Sequence, residues 1–263
     1  MIKSYKIRLL PTKQQEKQLS KSANIARFIY NWTLNRQNEN YKIGNKFISD
    51  NDLRKELTLL KKNELYFLNE VSNNVAKQAV KDCCLAFKKF FKKESMYPKF
   101  KSKKRSKLSF YNDNVKLKVK ENLVLVEKVG WIRTSEQLPL NTKYTNPRIT
   151  YDNKYWYISI GIEVEKSTIE LTNEKIGIDL GIKDLAILSN GKAYKNINKT
   201  KKIKQLKKKL KRLQKQCSRK YIKNKEGNRY IKTADIVKLE KKIRLLHRKI
   251  SNRSEERRVG KEC

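Results

Sequence analysis

Histidine occurs once in this chain of 263 residues, at His247, and acidic side chains number 26 against 65 lysines and arginines. A lone histidine among lysines and arginines leaves serine–histidine and cysteine–histidine catalysis without a credible base. Cysteine is scarce too. Cys83, Cys84, Cys217 and Cys263 form no C-x-x-C pair and no repeated spacing, so neither a disulfide framework nor a zinc site is legible. Reduced thiols in a helix and two loops are the expectation. No run approaches the roughly 18 apolar residues of a membrane span, and the N-terminus lacks the apolar core of a signal peptide. No membrane partner is expected, and the chain reads as cytoplasmic and nucleoid-associated.

What the chain has is positive charge, a formal +39 at pH 7. An excess of this size repels itself in a compact state unless a polyanion neutralises it, so the expected partner is nucleic acid. Charged residues make up 35% of the chain and AVILMFWYC residues 38%, which allows a modest core; the apolar residues are patterned and 9% are aromatic, which argues against disorder. The length suits one large domain or two to three small ones.

Tyr5, Ile7 and Leu9 alternate with Lys6 and Arg8, the period of a half-exposed strand that Pro11 ends. Thr12 with Gln15 makes a capping box, and Leu19, Ala23, Ala26 and Ile29 or Tyr30 then recur at helical spacing up to Gly44. Asp50 and Asp52 are candidate caps of a second helix through Leu53, Leu57 and Leu60; Ser72 opens a third with Val75, Ala79, Cys83, Phe87 and Phe90 on one stripe. Beyond Tyr97-Pro98-Lys99-Phe100 the period changes. Val115 to Val119 alternates, Leu123 to Val126 is a short apolar run, Ile132 sits in another candidate strand, and Trp156, Ile158, Ile160, Ile162 and Val164 line one face of the strongest one. If the opening strand pairs with these, the helices are an insertion into a β domain.

From about Thr172 a third regime begins. Ile176 to Gly181 reads as a buried strand broken by Asp179, followed by a strand over Asp184 to Leu188 and a turn at Asn190-Gly191. A buried carboxylate costs free energy unless a cation or hydrogen bonds compensate. Asp179 is therefore either a metal-binding acid or an aspartate at a turn or edge. Ile203, Leu206, Leu210 and Leu213, then Ile236, Leu239, Ile243, Leu246 and Ile250, mark two amphipathic helices that would pack as a hairpin. Their outer faces are almost wholly Lys and Arg, and like charges at i, i+4 oppose a helix unless counter-charge arrives.

Ile176-Gly177-Ile178-Asp179-Leu180-Gly181-Ile182-Lys183-Asp184-Leu185-Ala186, with Leu188-Ser189-Asn190-Gly191, resembles the first nuclease motif of TnpB, the OrfB-type proteins of bacterial insertion sequences. The resemblance continues in order through Tyr5 to Thr12, Arg27-Phe28-Ile29-Tyr30-Asn31, Ala86 to Phe91, Pro98 to Lys103, Gly130-Trp131-Ile132, Leu206 to Lys220 and Leu245 to Ile250. It implies a multidomain α+β architecture: a β-barrel wedge domain (1–10 and 101–170) interrupted by a helical recognition domain (11–100), then a partial RuvC-like nuclease of RNase H fold with a helical hairpin (171–253).

The resemblance also implies a guide RNA and a double-stranded DNA target as partners, and a nuclease in which acids hold two Mg²⁺ ions about 4 Å apart. Asp179 matches the first such acid, as catalytic and metal-binding residue, and Asp184 is read as structural. The family's second acid, its four-cysteine zinc element and its last aspartate have no counterpart in this sequence, so Mg²⁺ is expected of the complete family site and no zinc ligands are expected here. Ser254 to Cys263 abandons the apolar stripe and resembles a read-through tail; the expectation is that 254–263 is foreign to the family and the nuclease is cut short.

For nucleic-acid contact the candidates are Lys99, Lys101, Lys103, Lys104 and Arg105 between the helical and β regions, and Lys201, Lys204, Lys208, Arg212, Arg219 and Lys220 on the cationic helix. Tyr111, Trp131, Tyr155 and Tyr157 are candidates for stacking on unpaired bases, or for packing within the sheet. Three readings follow: a guide-RNA and DNA-binding protein of a nuclease family, a non-catalytic accessory or repressor, and a structural RNA-binding protein.

Overall fold

The computed structural model describes residues 1–103, 106–165, 173 and 175–255. The fold is α+β with a large antiparallel sheet, and the chain divides into two units, Met1–Ser167 and Thr168–Cys263.

The first unit opens with β1 (Ile2–Leu10), followed by α1 (Lys13–Lys42). Thr12 Oγ1 accepts the Gln15 N–H at 3.3 Å and Gln15 Oε1 accepts the Thr12 N–H at 3.0 Å, so two of the helix's otherwise orphan donors are satisfied. Helix α2 (Asp50–Asn63) is capped by Ser49, which corrects the expectation of an aspartate cap: Ser49 Oγ accepts the Asp52 N–H and donates to the Asp52 carboxylate. Ser72 caps α3 (Asn73–Phe91). Leu19, Ala23, Ala26 and Ile29 of α1 and Val75, Ala79, Cys83 and Phe87 of α3 are buried along the stripes that the sequence sets at helical spacing.

After the helices come β2 (Ser109–Tyr111), β3 (Lys118–Lys120), β4 (Leu123–Val126), β5 (Gly130–Thr134), β6 (Tyr144–Tyr151) and β7 (Trp156–Glu163). They form one antiparallel sheet with β1, in the order β2-β6-β7-β1-β5-β4-β3. The opening strand therefore lies inside the sheet, paired over eight residues with β7 and over two with β5. Trp156, Ile158, Ile160 and Ile162 face one core shared with Ile7, Leu9 and the helices. The segment after β2 reaches the turn between β4 and β5, where Asn112 Oδ1 accepts the Glu127 N–H at 3.1 Å.

Two strand expectations change. Residues 114–116 form a turn, because the Asp113 carboxylate accepts the N–H groups of Val115 and Lys116 at 3.0 and 3.1 Å and holds the chain out of the sheet. Strand β6, absent from the sequence reading, carries Pro147 at a bulge; Asn146 takes φ +46° there and the register with β7 shifts between Thr145 and Arg148.

Polar ties join the helices to the sheet and to the segments beside it, and Gln15 Nε2 of α1 donates to the Trp131 carbonyl of β5 at 2.8 Å. Arg148 on β6 holds Asp82 on α3; the Glu127 carboxylate accepts from Ser72 Oγ and Asn74 Nδ2 at 2.6 and 3.1 Å; and Asn31 on α1 exchanges two hydrogen bonds with the Lys101 backbone.

The second unit begins with a three-stranded sheet in the order β10-β9-β8, made of β8 (Ile178–Asp179), β9 (Asp184–Leu188) and β10 (Ala193–Lys195). Helix α4 (Lys201–Lys223), a short ribbon of β11 (Lys225–Glu226) and β12 (Arg229–Tyr230), and α5 (Ala234–Glu255) complete it. Ile203 of α4 and Ile236 and Leu246 of α5 are buried on the 3-4 stripes expected of a hairpin seam; Cys217, expected in a loop, is buried within α4 instead, because the helix runs on to Lys223 and carries the stripe one step further. Of the expected tail, Ser254 and Glu255 end α5, and 256–263 lie outside the described residues.

Candidate nucleic-acid interface

Helix α4 is the strongest assembly of candidate residues. Lys201, Lys204, Lys208, Arg212, Lys215 and Arg219 recur at steps of three and four, all exposed, so one stripe of cations runs the length of a 23-residue helix, about 35 Å. A shallow groove is lined by Gln205, Lys208, Lys209, Lys211, Arg212 and Lys215. Lys220 stands apart. It is half-buried and donates to Asp235 at 2.7 Å, a contact that holds the Asp235 carboxyl below its ordinary value.

The hairpin is pinned by an acid that sequence reading missed. Glu240 on α5 accepts the Tyr221 hydroxyl at 2.7 Å, pairs with Lys232 and lies 3.6 Å from Arg244. Partial burial raises the Glu240 pKa, but hydrogen bonds from Lys232 and Tyr221 and the charges of Lys232 and Arg244 outweigh it, so the carboxyl sits below the usual glutamate value. The same hydrogen bond pushes the Tyr221 hydroxyl up to about 12.

The basic segment after the helices divides. Lys99 and Lys103 are exposed, Lys104 and Arg105 lie outside the described residues, and Lys101 is folded inward with its ammonium 3.5 Å from the centroid of the Tyr30 ring. Burial pulls the Lys101 pKa below the ordinary lysine value against the opposing charge of Asp82. Beside it lies a cavity of about 170 Å³ whose cationic and aromatic lining includes Arg27, Tyr30, Lys101, Lys107, Tyr111 and Arg148. Arg27 Nε is buried there without a hydrogen-bond partner. This cavity also escaped sequence reading, because its residues come from α1, α3, β6 and the segment leading into β2.

The candidate stacking aromatics are mostly engaged. Arg8 sits 3.4 Å from the Tyr155 ring centroid and Lys6 5.0 Å from that of Tyr157, and the Tyr111 hydroxyl donates to Asn114. Trp131 is half-open to solvent.

Asp179 departs from expectation. It is exposed, as are Ile178 and Leu180 at 63 and 76%, which corrects the reading of a buried strand. The physical reason is position: β8 is two residues long and, among the described residues, ends its sheet, paired with β9 alone. A local lock holds it, since Gly177 N–H donates to Ser189 Oγ at 3.1 Å and Ser189 N–H to the Gly177 carbonyl at 2.9 Å. Among the described residues no three His, Cys, Asp or Glu side chains gather where they could hold a metal ion. One carboxylate does not fit a two-Mg²⁺ centre. Cys83 and Cys84 are buried in α3, with their thiols lifted by burial to about 12 and about 11, so they remain protonated at neutral pH.

Residues 1–46 match the family model described as "Helix-turn-helix domain" of the IS605 OrfB proteins, and residues 159–257 match the OrfB model described as "Probable transposase". The chain is 32% identical over 253 residues to "Putative RNA-guided DNA endonuclease InsQ" of Escherichia coli (strain K12). It belongs to the OrfB (TnpB-type) family of insertion-sequence proteins. A second OrfB-type relative, a "Putative RNA-guided DNA endonuclease" of Streptomyces pristinaespiralis, is 30% identical over 199 residues. The two alignments take in 95% and 74% of this chain but 60% and 50% of the relatives, so the chain spans little more than half the length of the curated OrfB relatives it matches. The segment matched as helix-turn-helix is here one strand and one 30-residue helix. Among the described residues of this OrfB chain, no helix is long and apolar enough to cross a membrane.

Proposed function

We propose that this chain supplies guide-RNA and DNA binding to an RNA-guided DNA endonuclease of the OrfB family. The observation that carries the reading is the continuous cationic stripe of α4, exposed along its length in a chain of net charge +39. Six cations in a row oppose the helix that bears them, and phosphates relieve that cost while releasing counterions. The relatives' names supply the nature of the nucleic acids. The helices between β1 and β2 act as the recognition domain, the antiparallel sheet as the wedge, and residues 171–253 as part of a RuvC-like domain. Asp179 stands where the resemblance puts the first acid of that domain's Mg²⁺ site, and by itself it does not complete one.

A second reading is non-catalytic binding, in which the chain acts as an accessory factor of the element. It is favoured by the surroundings of Asp179, exposed at the edge of a three-stranded sheet without two further ligands among the described residues.

Purified chain mixed with transposon-end RNA, Mg²⁺ and target plasmid separates the two. Nicking that disappears in Asp179→Ala establishes the nuclease; tight RNA binding without nicking establishes the accessory role. Equal affinity for unrelated RNA of the same length at matched salt overturns guide recognition in both.

A further inference from the structure

The far end of the helical segment carries a surface that the hairpin does not explain. Helix α1 runs out at Lys42, Gly44 turns the chain at φ +78°, and the loop brings Phe47 against the last turn of α3. There Phe47, Phe87, Phe90, Phe91 and Tyr97 pack ring against ring, with centroids 5.1 to 6.1 Å apart. Only the centre is covered: Phe87 is 4% exposed, whereas Phe47, Tyr97, Phe91 and Tyr41 stand at 38, 45, 60 and 81%. These rings border a cavity of about 420 Å³ that Asn45 and Lys46 help to line.

The walls are fixed before any ligand arrives. Gln37 exchanges two hydrogen bonds with the Ile48 backbone at 2.7 and 3.1 Å, Asn40 donates to the Lys46 carbonyl at 2.5 Å, and the Tyr97 hydroxyl donates to Asn38 at 2.6 Å. With those amides and that hydroxyl engaged, the cavity offers mainly ring faces and edges.

Lys42, Lys46, Lys88, Lys89, Lys92 and Lys93 are exposed on the segments that frame it, and residues 41–48 and 87–93 contain no acid. None of the six forms an ion pair among the described residues. An apolar protein surface laid here would leave these ammonium groups without counter-charge. A duplex keeps its bases stacked inside and would meet only the lysines. An unpaired base with its flanking phosphates satisfies rings and cations together.

We infer that this aromatic cavity is a stacking site for one or two unpaired bases of RNA, held without base-specific hydrogen bonds, with the neighbouring phosphates on the lysine rim. The inference rests on the RNA-binding reading above and names a place for it within the first unit. RNA is the occupant because its loops and bulges present unstacked bases, whereas the proposed DNA target arrives paired.

The test uses the full chain with a short single-stranded RNA carrying 4-thiouridine, the same RNA annealed to its complement, and single-stranded DNA of the same sequence, all at one salt concentration. Photocrosslinks from the single-stranded RNA should map to Tyr41, Phe47 or Phe91 and vanish with the duplex. The double variant Tyr41→Ala, Phe91→Leu should lose about tenfold in single-strand affinity and leave duplex affinity unchanged. Circular dichroism and thermal melting check its fold, and Tyr41→Ala alone, at the most exposed position, repeats the test should Phe91→Leu unfold the chain.

Crosslinks confined to other residues, an unchanged single-strand affinity, a preference for the DNA strand, or displacement of the RNA reaction by an acidic amphipathic peptide that itself occupies the cavity each overturn the assignment. Loss of RNA binding only when α4 lysines are replaced overturns the cavity and leaves the RNA-binding reading standing; wild-type chain that binds no RNA overturns both.

Discussion

Arg148 Nη1 and Nη2 donate to the two carboxylate oxygens of Asp82 at 2.7 and 2.8 Å, a bidentate pair that fastens α3 to β6 across 66 residues of sequence. Its side chains are 30 and 22% exposed, so water screens the pair only partly. Hydrogen bonding to Asp82 raises the Arg148 pKa further above its ordinary value, and the guanidinium stays charged. Asp82→Asn should therefore lower the stability of the first unit by about 2 kcal/mol. A double-mutant cycle with Arg148→Met measures the coupling; additive losses would show that the two residues do not act as a pair.

Gly161 admits the bulged strand beside it. A Cβ at this position would lie 2.5 Å from Thr145 Oγ1 and 3.0 Å from Ile2 Cγ2, and threonine, branched at Cβ, cannot swing aside freely. Gly161→Ala should cost about 1 to 3 kcal/mol in denaturant unfolding, and Thr145→Ala in the same chain should recover part of the loss. No rescue would mean that the strain arises elsewhere.

The hairpin should weaken in acid. Because the folded Glu240 pKa lies below the ordinary glutamate value, its contribution is present above that ordinary value and is lost as pH falls through the folded one. Glu240→Gln should melt earlier than the parent at neutral pH, and the gap should close on acidification. A gap independent of pH would remove the electrostatic explanation.

Asp179 is exposed, so Asp179→Asn should change stability by no more than about 0.5 kcal/mol and leave RNA affinity as it was. Unfolding titration and filter binding check both. A large loss of stability would restore the buried-strand reading that the structure corrects.

The legible parts of the fold are those in which local chemistry and tertiary context agree. The Thr12–Gln15 capping box, the Ser72 cap, the alternation from Trp156 to Ile162 and the seam from Ile203 to Leu213 are each local patterns that packing reinforces. Strand β6 escaped because Pro147 breaks its pattern and only the bulge beside Asn146 lets it pair. Lys101 looked like one cation in a solvated run, yet Asn31, 70 residues away, grips its backbone and Tyr30 receives its ammonium. The cavity beside Arg27 and Arg148 and the aromatic cavity at Phe91 are built from distant segments. The stripe on α4 was visible because helical spacing alone creates it.

That stripe carries the central claim, and the salt dependence of RNA binding tests it most directly. Apparent affinity of the chain should fall linearly on a log–log plot against salt, and replacing Lys204, Lys208, Arg212 and Lys215 by Gln should flatten the slope by about 3, near 0.7 for each lost phosphate contact on a single strand. An affinity that ignores salt, or a four-residue variant whose slope matches the parent, would contradict the account.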